Sequence, residues 1–91
     1  MAVEQWQIDR AVERLREAGA TRVVLFGSAV DSPEKARDLD LACAGIPLWP
    51  LLGLAEDLRR ELGVPLDLVP LDPENPFSRH VERWGQLLYA A

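Results

Sequence analysis

Three aspartates interrupt apolar stretches where carboxylates are out of place: Asp38 and Asp40 in Asp-Leu-Asp-Leu-Ala-Cys, and Asp67 between Leu66 and Leu68. Aspartate is depleted in strands, and an ionised carboxylate beside a core is costly unless it is paired or bound to a cation. Asp38 and Asp40 stand two apart, so on a strand both leave the same face and aim at one volume of space. If the segment carrying Asp67 lies beside them, its carboxylate enters that volume too, because Leu66 and Leu68 take the opposite face. Three like charges so placed need a cation to hold them, and hard oxygen donors with no His or Cys cluster nearby select Mg²⁺ or Mn²⁺ over zinc. A second chemical element is Phe26-Gly27-Ser28. The glycine lets a ligand approach the backbone closely, and Ser28 adds a hydroxyl and free backbone N–H groups, a fitting place for a phosphate.

Apolar periodicity gives the elements that must position these groups. Ile8, Ala11, Val12 and Leu15 share one face of a helix over about Glu4 to Ala18, stopped at Gly19. The unbroken run Val23 to Phe26 predicts a strand from Thr21, covered on both sides. Asp31, Ser32 and Pro33 then predict a loop or one short helical turn within Ala29 to Arg37. Asp38 to Cys43 alternates as a strand and is closed by Gly45 and Pro47. Leu48, Leu51, Leu52, Ala55, Leu58 and Leu62 trace a helix that Gly63 caps. Leu66 to Val69 is a short strand between Pro65 and Pro70. After the turn Asp72 to Pro76, the residues Phe77, Val81, Trp84 and Leu88 predict one last amphipathic helix. The expected fold is α/β (α+β): a small three-stranded mixed sheet, its second and third strands parallel across a helical crossover. Helices pack on one face and the carboxylates occupy the other.

Composition narrows the function classes. Ninety-one residues allow a single domain over 1–91, and 48% hydrophobic with 27% charged residues marks an ordinary globular chain rather than a disordered one. A net charge of -5 argues against a broad electrostatic grip on nucleic acid. The lone Cys43 makes neither an internal disulfide nor a zinc cluster, which fits a cytoplasmic protein. The longest apolar stretch, Ile46 to Ala55, is broken by Pro47, Pro50 and Gly53, so no membrane span is expected, and the first residues lack the pattern of a signal peptide.

A strand ending in Gly27-Ser28, nine further residues, then Asp38-x-Asp40 on the next strand resembles the nucleotidyltransferase superfamily related to DNA polymerase β. With its length and its ending Trp84-Gly85-Gln86-Leu87-Leu88-Tyr89, the chain resembles the minimal nucleotidyltransferases, small stand-alone members often paired with HEPN proteins. The resemblance spans nearly the whole chain. It implies that Gly27 and Ser28 hold the β and γ phosphates of ATP, that Asp38 and Asp40 bind Mg²⁺ or Mn²⁺, and that Asp67 completes the metal site and helps activate the attacking hydroxyl. The implied chemistry is in-line transfer of AMP. No residues remain for a second domain that would recognise an antibiotic, tRNA or primer, so a partner must bring the acceptor. The resemblance implies a HEPN toxin whose tyrosine is adenylylated, this chain being the antitoxin and forming an oligomer with it.

Two positions depart from the family's usual wording, which has Arg directly after the Gly-Ser and Ser directly before the first Asp; here they are Ala29 and Arg37. Lys35 and Arg37 offer basic charge in the same loop. The departures leave a second reading open, a catalytically degenerate protein that neutralises its partner by binding alone. A third, transfer to a small molecule, needs an acceptor pocket built by dimerisation. Outside the motif, Cys43 reads as core and His80 as a helix-surface residue. Trp6 and Trp49 fall off the apolar stripes of their helices, and read either as partner anchors or as core beside misplaced helix ends; Tyr89 reads as packing or interface.

Overall fold

The structure, a computed structural model, describes residues 2–32 and 34–91; Met1 and Pro33, the latter expected at the turn after Ser32, lie outside the described residues. The chain runs α1 (Gln5–Glu17), β1 (Arg22–Phe26), α2 (Ser28–Asp31), β2 (Leu39–Ala44), α3 (Leu48–Leu62), β3 (Leu66–Pro70), α4 (Pro76–Trp84) and β4 (Gln86–Ala90). The strands form one sheet in the order β3-β2-β1-β4. β2 and β3 are parallel, as the helical crossover between them requires, and β1 is antiparallel to both β2 and β4.

Alternation along the strands sorts the apolar side chains into two layers. Val23 and Leu25 of β1, Leu39, Leu41 and Cys43 of β2, and Leu66 and Leu68 of β3 pack with Ile8, Ala11 and Leu15 of α1 and Leu51, Ala55, Leu58 and Leu62 of α3. Each Leu or Val fully buried there contributes about 1.5 to 3 kcal/mol. Gln7 fixes α1 against the end of α3: its amide donates to the Leu62 carbonyl at 2.9 Å and its side-chain oxygen accepts from the Glu4 N–H at 2.7 Å. Across the same seam the Arg10 guanidinium meets the Glu61 carboxylate at 2.6 Å, and Arg14 pairs with the other oxygen of that carboxylate.

The second layer corrects the expectation that helices lie on one face only. Val24 and Ala42 pack with Val81 of α4 and with Leu71, joined by Phe26, Ala44 and Val69. β1 is apolar on both faces, so the face away from α1 and α3 must also be covered, and α4 covers part of it. Its start is set by a reciprocal cap in which the Asn75 side chain accepts from the Ser78 N–H and the Ser78 hydroxyl accepts from the Asn75 N–H, both at 2.9 Å.

The sheet has four strands rather than three. The residues expected to extend the last helix leave it at Gly85 and form β4, which pairs Leu87 with Val24 and Tyr89 with Val23 around an irregularity. The helical spacing of Leu88 from Trp84 is coincidental: the open edge of β1 offers a ladder of backbone hydrogen bonds, and that tertiary pairing outweighs the local pattern.

Candidate active site

The site begins where β1 ends. Gly27 adopts φ +78°, ψ −158°, a region essentially reserved for glycine. A Cβ at that position would overlap Oδ2 of Asp40 and lie 3.1 Å from its Cγ. Ser28 follows, exposed, and its hydroxyl has no hydrogen-bond partner among the described residues. Sheet register does the rest of the positioning. Asp40 is the partner of Phe26 on β1 and of Asp67 on β3, so Phe26, Asp40 and Asp67 form a row across three strands on the α4 side of the sheet. Asp67 is exposed and Asp40 half-buried.

The electrostatics centre on Asp40. Burial pushes its carboxyl above the ordinary value, the charges of Asp67 and then Asp38 push it further, and a protonated Asp40 can donate a hydrogen bond to Asp67. Among the described residues, none of the three aspartates has a basic side chain within ion-pairing distance. Asp38 lies one residue ahead of β2, exposed at a bend, because the ladder starts with the Leu39 N–H donating to the Pro65 carbonyl at 2.9 Å. The structure therefore brings Asp40 and Asp67 together with Gly27, and places Asp38 near enough to add its charge. Among the described residues no three His, Cys, Asp or Glu side chains draw together as a closed metal cluster. The donor set still suits a hard divalent cation: carboxylate oxygens without a protein counter-charge, beside a backbone with no Cβ in the way.

Comparison with known proteins bears on what this arrangement is. No family profile and no curated protein matches the sequence. Among solved structures, one provisionally described as a minimal nucleotidyltransferase superposes with a TM-score of 0.75 at 29% identity, covering 97% of this chain and 97% of that one. The chain has the minimal nucleotidyltransferase fold. A chain from a tri-AMPylated Shewanella oneidensis HEPN toxin in complex with MNT antitoxin gives a TM-score of 0.75 at 22% identity, over 96% of this chain and 72% of that one. A toxin–antitoxin structure with AMP-PNP gives 0.76 at 21% identity, over 91% and 73%.

Within this minimal nucleotidyltransferase fold the remaining expectations fall as follows. Ala29 is buried in the main core, so it packs α2 down rather than facing a ligand, while Lys35 and Arg37 are exposed in the loop before β2. Cys43 is buried as expected, and burial pushes its thiol up to about 11, which keeps it an unreactive core group. Trp6 and Trp49 are exposed, at 53% and 80%, and His80 is exposed on α4. Phe77 and Trp84, on the apolar stripe expected to face the core, do not face it: Val81 takes that role and the two rings stand 49% and 67% exposed beside Gly27. Their four- and three-residue spacing from Val81 is the signal that places them on neighbouring lines of one helix face.

Proposed function

We propose that this chain is an Mg²⁺-dependent nucleotidyltransferase that moves AMP from ATP to a hydroxyl, a tyrosine, of a HEPN toxin, and so acts as the antitoxin. The observation that carries the reading is the row Phe26, Asp40, Asp67 closed by Gly27, within a fold shared with structures described as minimal nucleotidyltransferase and as MNT antitoxin bound to AMPylated HEPN toxin. In this reading Asp40 and Asp67, with Asp38 at the mouth of β2, hold the cation. Gly27 and Ser28 would hold the β and γ phosphates: the missing side chain of Gly27 lets the Asp40 carboxylate close against the turn, and Ser28, exposed on that turn, presents a hydroxyl with no partner among the described residues. The acceptor oxygen would bond to the α-phosphorus as the bond to the β-phosphate breaks, releasing pyrophosphate and the hydroxyl proton; when bound, Mg²⁺ would supply Lewis acidity to the acceptor hydroxyl and offset charge on the leaving pyrophosphate. Asp67, exposed on the edge strand β3, would be open to an incoming acceptor hydroxyl.

The test is transfer of radiolabel from ATP labelled at the α-phosphate into the co-expressed HEPN partner. Wild type labels the partner and Asp38→Asn/Asp40→Asn does not; label transferred equally by the double variant ends the mechanism. A second reading, neutralisation by binding alone, is favoured by Asp38 standing exposed at a bend one residue ahead of β2 and by Ala29 in the core where a basic residue is usual. It requires that the unlabelled partner be silenced as fully by the double variant as by wild type. Among the described residues no helix is long and apolar enough to cross a membrane, and the reading places the complex in the cytoplasm.

A further inference from the structure

A cleft of about 340 Å³ opens between the end of β1, α2 and α4, lined by Phe26, Gly27, Val30, Phe77 and Trp84. We infer that this cleft seats the base of the nucleoside triphosphate, stacked against the α4 rings, while the phosphates lie across Gly27 toward Asp40. The inference rests on the nucleotidyltransferase reading and adds to it the part of the substrate that the carboxylates and the Gly-Ser turn do not touch.

Three observations converge on it. The cleft is continuous with the proposed phosphate site, because Gly27 lines it on one side and closes on Asp40 on the other, and Phe26 is the register partner of Asp40. Its rings are not consumed by the core: Phe77 meets Phe26 edge-on, with centroids 5.8 Å apart and planes at 84°, and Trp84 stays largely exposed. A base has two flat faces and binds such surfaces without regard to its identity. The size also fits, since the volume lies near the lower end of ligand pockets, roughly 300 to 1,000 Å³, enough for a ring system and little else. His80 and Asp31 at the rim add polar groups, the second a carboxylate able to accept from an exocyclic amino group.

A larger cavity, about 550 Å³ between Arg22, Asp72, Arg79 and Glu82, does not compete for this role. It sits at the opposite end of β1 from Gly27; two of its arginines are paired, Arg22 with Glu82 at 2.6 Å and Arg79 with Glu74 at 3.8 Å, and the third, Arg83, lies over the Trp84 ring, 5.5 Å from its centroid.

The test uses the full chain and needs no turnover. Trp6→Phe/Trp49→Phe leaves Trp84 as the sole tryptophan. Its emission is expected to change saturably with ATP and Mg²⁺ and to stay constant with inorganic tripolyphosphate. By calorimetry, Trp84→Ala and Phe77→Ala should each weaken ATP binding about 5- to 150-fold, the range for losing one stacking partner, with tripolyphosphate binding unchanged. Thermal unfolding checks that both variants are folded. If ATP binds while Trp84 emission is unmoved and both variants bind it as wild type does, the cleft is not the base site and the nucleotide reading survives. If wild type binds no ATP at all, both fall.

Discussion

Gly27 and Asp40 share one space: the carboxylate of Asp40 fills the volume in which any other residue at position 27 would carry its Cβ. The turn after β1 and the acid on β2 are therefore a single device, and the glycine is required twice, for contact and for conformation. With φ +78° and ψ −158°, an alanine there is strained by about 1 to 3 kcal/mol before any clash is counted. The carboxylate can swing aside, but only by leaving the row it forms with Asp67. Gly27→Ala should fold with its urea stability lowered by about that amount, and should bind ATP more weakly by calorimetry. A variant as stable as wild type would show that the turn does not need this conformation.

Asp40 gives up stability for its position. Burial, then the charge of Asp67, then that of Asp38, raise its pKa in the folded chain above the ordinary carboxylate value. A raised folded pKa means that the folded state holds the proton more tightly than the unfolded state, so stability falls as pH rises from the ordinary value through the folded one, and stays lower above it. Asp40→Asn removes the charge. Without divalent cation the variant should be more stable than wild type at neutral pH, with the difference fading as the pH drops below about 3.9. Urea unfolding over a pH series reads this, and a variant less stable than wild type at neutral pH would contradict it. The same variant should transfer no label.

Glu61 should show the opposite slope. Its hydrogen bond with Arg10, followed by the charges of Arg10 and Arg14, holds its carboxyl below the ordinary value. A depressed folded pKa contributes stability that is present above the unfolded value and is lost as pH falls through the folded one. The group is solvent-exposed and screened, so the effect is small and salt-sensitive. Glu61→Gln should lower the melting temperature slightly at neutral pH in low salt and match wild type in acid or in high salt. An equal loss at every pH would mean that packing rather than charge joins α1 to α3 at this seam.

The carboxylates and the Gly-Ser turn were legible in the sequence because each breaks a strong local rule: an acid inside an apolar strand, or a glycine at the end of a buried one. The helical crossover between the two acid-bearing strands also predicts the parallel pairing that makes Asp40 and Asp67 neighbours. What local pattern does not carry is the use of the second sheet face. Val24 and Phe26 signal that this face is covered, but not by what, and the stripe through Phe77, Val81 and Trp84 serves a helix packed by Val81 alone as well as one buried along its length. The position of Asp38 was unreadable for a similar reason. Two residues apart puts two acids on one face, yet the strand starts only where Pro65 supplies an acceptor, at Leu39.

The fourth strand hangs on Gly85, and this is the most direct test of the fold. The residue has an ordinary φ of −81°, so the constraint is space rather than conformation. A Cβ there would stand 2.6 Å from Val24 Cγ1, 2.6 Å from the Val81 carbonyl oxygen and 2.7 Å from the Leu25 carbonyl oxygen. Two of those three are backbone atoms that cannot turn aside, so overpacking costs about 1 to 3 kcal/mol. Alanine also favours helix over glycine by about 1 kcal/mol, which encourages α4 to run on into the residues that form β4. Gly85→Ala should therefore lower stability and loosen the β1–β4 ladder, with faster amide exchange at Leu87 and Tyr89, the partners of Val24 and Val23. Exchange in the β1–β2 pair should change far less, because that ladder has its own register and core. Unchanged exchange at Leu87 and Tyr89 would show that β4 does not depend on the close passage of Gly85 against β1.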